Sequence, residues 1–467
     1  MKHIQRKLAI VTALCLPALL WIPLEFAHAE IGAEHENMAL VGHHPLHGRS
    51  AYQPVIQEHA GRWIAYVGHH RGSALNPLTG KREPNGTSIV DVSDPAHPAY
   101  LHHIPGAGGA QMVQTCRGRD LPANDDKVYL LRSNGDESHE VWDVTNPRAP
   151  IQIGTPLSGG HATHKNWWDC DTGIAYLVYD GRQLGWRTRR LLWVVDLGDP
   201  ANPRVIRQFG LSGQQPGAHG PASPPGAHEA ALSPDGKRLF IAYGTGHQGI
   251  MQIVDVRKLL GCWPNCPVRP TVAELLDAQV GRLDMPRFWG AHTAWPVLGI
   301  PVVEQAKFIG ASPRDFVVLV SESFASRCQE DAHDMVFLVD ISDATRPFPV
   351  SNYQVRESQG AFCDRGGRFG AHSMNWSYHP GFYKKLIVVS YFNAGARVVD
   401  IRDPFHPKEV GFYIPAAASR EVAQTNNVEI DARGLIYLAD RAGAGLHIVK
   451  LTGIAAQIVR KTNATPQ

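Results

Sequence analysis

The chain has 467 residues, 43% of them hydrophobic and 19% charged, and 45 Lys+Arg against 43 Asp+Glu leave a net charge of +2. This length exceeds one ordinary compact core and demands either several domains or a repeat architecture. The near-neutral balance shows neither a nucleic-acid footprint nor an acidic tail, whereas 24 His point to chemistry or metal and 45 Gly with 34 Pro to many turns.

The first predicted element is a secretory leader. Lys2, Arg6 and Lys7 precede an apolar run from Leu8 to Leu20, and Ala27-His28-Ala29 forms a small-x-small cleavage site. Pro23 and Glu25 interrupt the run short of the ~20 apolar residues a spanning helix needs. Residues 1–29 are therefore expected to be removed, leaving a periplasmic or secreted product with no transmembrane anchor. Next, MALVGHHPL from Met38 has the pattern of an outer strand that could close a ring.

From there one phrase recurs: SIVDVSDPAHP at Ser88, EVWDVTNPRAP at Glu140, WVVDLGDPANP at Trp193, QIVDVRKLLG at Gln252, FLVDISDATRP at Phe337, RVVDIRDPFHP at Arg397 and a degenerate HIVKLTG at His447. The short β-branched run before each Asp reads as a buried strand, and the Asp/Asn-Pro step ends it because proline cannot donate to a ladder. A second strand lies ahead of each phrase, as in RWIAYVG at Arg62 or LIVVSYFNAG at Leu386, a third ahead of that, and a fourth behind the turn, as in PKEVGFYIP. Four antiparallel strands repeated at a period of about fifty residues predict an all-β fold, a seven-bladed β-propeller over residues 30–453, followed by a C-terminal tail over 454–467. The N-terminal strand is expected to complete the last blade.

The phrase V-D-V-S-D-P-x-x-P resembles that of the LVIVD-repeat family of exported or surface proteins of bacteria and archaea. That resemblance covers essentially the whole mature chain and implies a β-propeller, without implying one function. AGGAQMVQTC from Ala107 is similar to an inner strand of selenium-binding protein and methanethiol oxidase propellers, a likeness of only a few residues.

Cys15 leaves with the leader. Cys116, Cys170, Cys262, Cys266, Cys328 and Cys363 remain, an even set suited to disulfides in an oxidising compartment. Cys262 and Cys266 flank Trp-Pro-Asn and suit a local bridge or half a metal site; no second Cys pair or His motif completes a zinc pattern, which favours the bridge. The repeat alignment pairs Cys116 with Cys170 and Cys328 with Cys363.

Histidines fall at one point of successive repeats. GAH opens the inner strand at His228, His292 and His372, and His164 precedes Val178 by the same separation as His228 precedes Ala242. Four imidazoles at one height of an axial channel predict a transition-metal site on His164, His228, His292 and His372. All-nitrogen ligation without thiolate favours Fe or Cu, with Zn also suited. The other blades place Gln53 or a neighbour, Gln111, and Asn427 beside Asn426 at this height. Glu229, by strand alternation, is expected to contact a neighbouring blade and not to ligate. The loops between second and third strands should gather on the same face, bringing Glu322, His247 and Arg441 as candidate catalytic groups, with Trp167, Trp168, Trp289 and Trp376 either lining a substrate pocket or packing between blades.

The leading expectation is an exported metalloenzyme, oxidative or hydrolytic, acting on a small organic molecule. The alternative is a non-enzymatic scaffold that binds a protein or cell-surface partner through long insertions at Gly261–Met285 and Pro296–Arg314. The sequence has no nucleophile elbow, phosphate loop, zincin helix or haem-attachment motif, which speaks against those chemistries.

Overall fold

The computed structural model describes residues 32–220, 222–302, 313–417 and 421–460. The leader over 1–29 and residues 461–467 of the tail lie outside the described residues. The fold is an all-β propeller of seven antiparallel four-stranded blades. Blade 1 runs Ala51–His59, Arg62–His69, Gly86–Asp91, Ala99–Pro105, and blade 2 runs Val113–Arg117, Val128–Asn134, Ser138–Asp143, Ile151–Leu157. Blades 3 and 4 are Asn166–Trp168, Ile174–Asp180, Arg190–Asp196, Arg204–Phe209 and then Ala227–Leu232, Arg238–Tyr243, Ile250–Asp255, Gln279–Asp284. Blade 5 comprises Thr293–Ile300, Arg314–Val320, Val336–Asp340, Phe348–Tyr353, and blade 6 Phe369–Met374, Leu386–Phe392, Ala396–Asp400, Lys408–Ile414. Blade 7 takes three strands from the C-terminal part, Thr425–Ile430, Ile436–Asp440 and Gly445–Leu451; its fourth, Met38–His44, comes from the N-terminus and pairs antiparallel with Gly445–Leu451.

The repeated phrase is the end of each third strand and the turn that follows. In five blades the Asp carboxylate caps that turn: the backbone N–H groups of Ser93, Thr145, Gly198, Ser342 and Arg402 donate to Asp91, Asp143, Asp196, Asp340 and Asp400 at 2.8–3.0 Å. This is the side-chain turn that makes Asp and Asn strand terminators. The turn also contacts the preceding blade. Gly42 and Gly281, on fourth strands of blades 7 and 4, lie so close to the carbonyls of Pro95 and Ala344 that an added Cβ would collide with them. The third-to-fourth-strand ladder shifts register in every blade, at Leu40/Gly42 in blade 7 and Ile253/Val254 in blade 4 for example. These bulges increase twist, as a radial arrangement of sheets requires.

The N-terminal segment fastens two blades. Glu34–Glu36 pairs with the outer strand of blade 6, Glu34 opposite Ile414, and Glu34 forms an ion pair with Arg365. Asn37 then turns the chain with φ of 52°, its side chain donating to the Val410 carbonyl at 2.9 Å, and Met38 enters blade 7. At the other end the chain continues beyond the last strand into a helix, Gly453–Arg460, whose Ala455 and Ile458 are buried beside Met38 and Phe382.

The insertion in blade 4 is folded. Helices Val256–Leu260 and Val272–Ala278 are capped by Asp255 and by a Thr271/Glu274 capping box, and the insertion ends in the fourth strand. The expected irregular loop over Gly261–Met285 is thus corrected; in the second insertion the inner strand extends to Ile300, and residues 303–312 lie outside the described residues. Among the described residues no helix is long and apolar enough to cross a membrane.

Three disulfides join Cys116–Cys170, Cys262–Cys266 and Cys328–Cys363, which fits an oxidising, extracellular compartment. The first links blades 2 and 3 across a separation of 54 residues, the second spans only 4. Replacing Cys116 and Cys170 together by Ser should lower unfolding free energy by about 4 kcal/mol, and replacing Cys262 and Cys266 by about 2 kcal/mol, on loop-closure entropy. Denaturant midpoints check this; equal losses from the two pairs would contradict the loop-length account.

Candidate metal centre

The inner strands bring His164, His228, His292 and His372 together. Successive ring centroids are 4.6, 4.0 and 4.5 Å apart, and all four rings are buried. Backbone pairing explains their common height: the amides of His164 and His292 donate to the carbonyls of Val178 and Val320 at the ends of the second strands. His228 is held differently. Ala227 pairs with Tyr243 and Glu229 with Ala242, so His228 is an extra residue with no partner opposite. Asn426 is likewise extra between the Thr425/Asp440 and Asn427/Ala439 pairs, and blades 1 and 6 slip register around Tyr52-Gln53 and His372. A bulge re-aims a side chain and suspends strand alternation.

Hydrogen bonds fix which nitrogen faces inward. Nδ1 of His228 lies 3.0 Å from the His292 carbonyl, and Nδ1 of His372 sits against the Asn426 carbonyl at 2.6 Å. A carbonyl only accepts, so both rings carry hydrogen on Nδ1 and present a bare Nε2. His292 Nδ1 is 2.8 Å from Thr293 Oγ1, which itself donates to Glu229; His292 must therefore donate too, and its buried Nε2 has no hydrogen-bond partner. His164 Nε2 is 2.8 Å from His228 Nε2 and donates to it. Burial holds all four imidazoles well below their usual pKa, so they are neutral. Neutral imidazoles with Nδ1 tied to carbonyl or hydroxyl oxygens are oriented as metal ligands are.

Glu322 completes the cluster. It follows the second strand of blade 5, and its loop is clamped from both sides: Glu322 N–H donates to Thr245 of the blade 4 loop and Ser323 N–H to Ala371 of blade 6. Its oxygens lie 3.9 Å from His292 Nε2 and 3.6 Å from His372 Nε2. Burial pushes its carboxyl up to about 7, opposed by the nearby Arg368 and Arg441. Ligand atoms of His228, His292 and Glu322 all fall within 4.8 Å of one another, and these three residues could hold a metal ion. His164 and His372 adjoin that group.

Of the other residues expected here, Arg441 stands half-buried on the loop face, its guanidinium 5.7 Å from the Phe392 ring. His247 is on the same face but exposed and brings no side-chain contact to the imidazoles among the described residues. The tryptophans form no pocket at this face: Trp168 and Trp289 pack in blade cores, while Trp167 meets Trp295 and Trp376 at 5.7 and 6.0 Å. Tyr52 is the blade 1 member of the histidine layer, its ring 6.1 Å from His164 and 5.9 Å from His372.

One residue further along each inner strand lies a second layer that sequence reasoning missed. Gln53, Met112, Lys165, Glu229, Thr293, Ser373 and Asn427 are all buried. Lys165 Nζ is 3.4 Å from Glu229 and 4.9 Å from the ring centroids of both Tyr52 and Trp376, so this lysine crosses from blade 3 towards blades 1 and 6. Glu229 does contact its neighbours, Lys165 and Thr293, but the bulge at His228 lets it reach inward, which alternation did not foresee. Burial drives Glu229 up to about 8 against the pull of Lys165, and Lys165 down. A charged residue directly after a channel histidine, twice over in His164-Lys165 and His228-Glu229, was the available signal.

The fold and site define a β-propeller with a buried His-His-carboxylate group at its axis. Residues 83–103, the stretch holding the third strand of blade 1 and the turn behind it, match the LVIVD repeat model. No curated protein matches the chain. Among solved structures it is similar to Raptor of Chaetomium thermophilum, with a TM-score of 0.52 and 10% identity over 89% of this chain. This chain spans only 28% of that one, and so low an identity shows the fold alone. The likeness of residues 107–116 to selenium-binding propellers finds no support in these matches.

Removing one member of a buried ion pair strands the other. Lys165→Met should cost about 3–5 kcal/mol, and adding Glu229→Gln should recover much of the loss. Urea melts of the single and double variants test this; a single variant as stable as the parent would deny the pair a structural role.

Proposed function

We propose that this chain is an exported metal-binding β-propeller whose axial cluster holds one first-row transition ion for oxidative chemistry on a small organic molecule. The observation that carries the reading is the convergence of bare, buried Nε2 atoms of His228, His292 and His372 beside Glu322, with hydrogen on Nδ1 in each ring. Two imidazoles and a carboxylate, with no thiolate, are the donor set of non-haem Fe(II) sites with open positions, which places Fe ahead of Cu and Zn. Such an ion supplies Lewis acidity and one-electron chemistry. His164 and His372 supply further imidazoles, Arg368 and Arg441 counter the Glu322 carboxylate, and the layer around Lys165 keeps water out from below.

Convergence favours this reading over a scaffold that acts only through its rim. Divergent imidazoles would have suited the scaffold, and the insertion offered for it in blade 4 is folded against its own blade. Elemental analysis of protein purified from its native export compartment is expected to find about one Fe or Cu per chain. His228→Ala with His292→Ala should reduce this to background while the β-sheet circular dichroism persists. Full metal occupancy in that folded double variant would overturn the proposal.

A further inference from the structure

The metal reading leaves the arginines of the loop face unexplained. Arg190 opens the third strand of blade 3 and lines a cavity of about 390 Å³ whose wall includes His228. Three other arginines line the same cavity. Arg187 and Arg189 are engaged: Arg187 donates to the carbonyls of Gly213 and Gly220, and Arg189 to that of His161 and to Asp136. Arg182 is exposed. The guanidinium of Arg190 makes no hydrogen bond or ion pair among the described residues; the groups that act on its charge are Tyr52, Glu322, Arg189 and Asp136. Gly226 and Gly244 keep the cavity open beside it, an added Cβ at Gly226 falling 3.1 Å from the Arg190 Cβ.

Arginines also gather on the other side of the mouth. A second cavity, of about 510 Å³, is lined by Arg365, Arg368, Gln424 and Arg441. Arg368 lies 3.6 Å from Glu322, and the guanidinium of Arg441, which lies over the Phe392 ring, makes no hydrogen bond or ion pair among the described residues. Arg190, Arg368 and Arg441 all act on the carboxylate of Glu322, with Asp136 near Arg190 and Asp440 near Arg441, and burial lowers the pKa of both Arg190 and Arg441. Arg190 is half-buried and faces the cavity with its guanidinium unpaired, and a planar fork of this kind matches the two oxygens of a carboxylate.

We propose that the site takes a small organic carboxylate, held by Arg190 in the cavity that ends at His228. This deepens the metal-centre reading and rests on it for what happens after binding, because His228 is both a wall of the cavity and a proposed ligand. A guanidinium fork pairs with carboxylate and phosphate oxygens alike; a singly charged carboxylate is satisfied by the Arg190 fork by itself, and phosphate is the competing anion in the test.

Calorimetric titration of the purified mature protein with benzoate, benzamide and inorganic phosphate tests it, with metal content measured on the same samples. Benzoate should bind and neutral benzamide should not. Arg190→Gln should weaken benzoate by about tenfold or more while leaving metal content unchanged, and Arg190→Lys, which keeps charge but loses the fork, should fall between. Benzoate affinity unaltered in both variants, or benzamide or phosphate binding as well as benzoate, would overturn the carboxylate site. Arg190-dependent benzoate binding in protein that carries no metal would support this site while removing the metal centre.

Discussion

Every feature at the axis depends on one ladder, that between Met38–His44 and Gly445–Leu451. A sheet left with three strands would expose a row of unpaired backbone groups along the outer edge of Gly445–Leu451, and the ring would be free to open. With the ladder formed, the first and last inner strands meet closely enough for Asn427 to donate to Gln53, 374 residues away along the chain, at 2.7 Å. The strap formed by Glu34–Glu36 and Asn37 holds that ladder to blade 6 as well, so the closing strand is anchored on both sides.

Within the closed ring, charge is arranged by depth. The lower layer carries Lys165 and Glu229 as a pair, the middle layer carries imidazoles kept neutral by burial, and the rim carries arginines around Glu322. Neutral imidazoles are what this sandwich requires, since protonated rings between a lysine below and guanidiniums above would repel both. The same neutrality leaves the Nε2 atoms of His228, His292 and His372 without hydrogen, that of His228 accepting from His164, so the electrostatics of the fold and the capacity to bind a cation come from one cause.

Much of this was legible in the sequence because it is written in residues with narrow physical roles. Asp and Pro at a strand end can do little except cap a turn and stop a ladder, so the blades could be read from their turns alone. The Gly-Ala-His triplets marked three of the four imidazoles, and matched spacing supplied His164. What stayed hidden is what leaves no compositional mark. The extra residue at His228 or Asn426 is a property of pairing between strands, and it alone determines that Glu229 faces inward. Glu322 was readable as a loop carboxylate near the histidines, whereas its place beside their Nε2 atoms follows from clamps to Thr245 and Ala371 in two other blades. His247, from an equivalent loop, has no such clamp to draw it in. The run Arg187-Thr188-Arg189-Arg190 is conspicuous as text, but only the backbone and side-chain partners of Arg187 and Arg189 reveal that Arg190 is the one left over.

The layer formed by Gln53, Met112, Lys165, Glu229, Thr293, Ser373 and Asn427 makes the molecule a cup and not a tube. These buried side chains lie between the histidines and the far end of the axis. On the proposed carboxylate reading, arrival and exit would share one doorway, both passing the arginine rim.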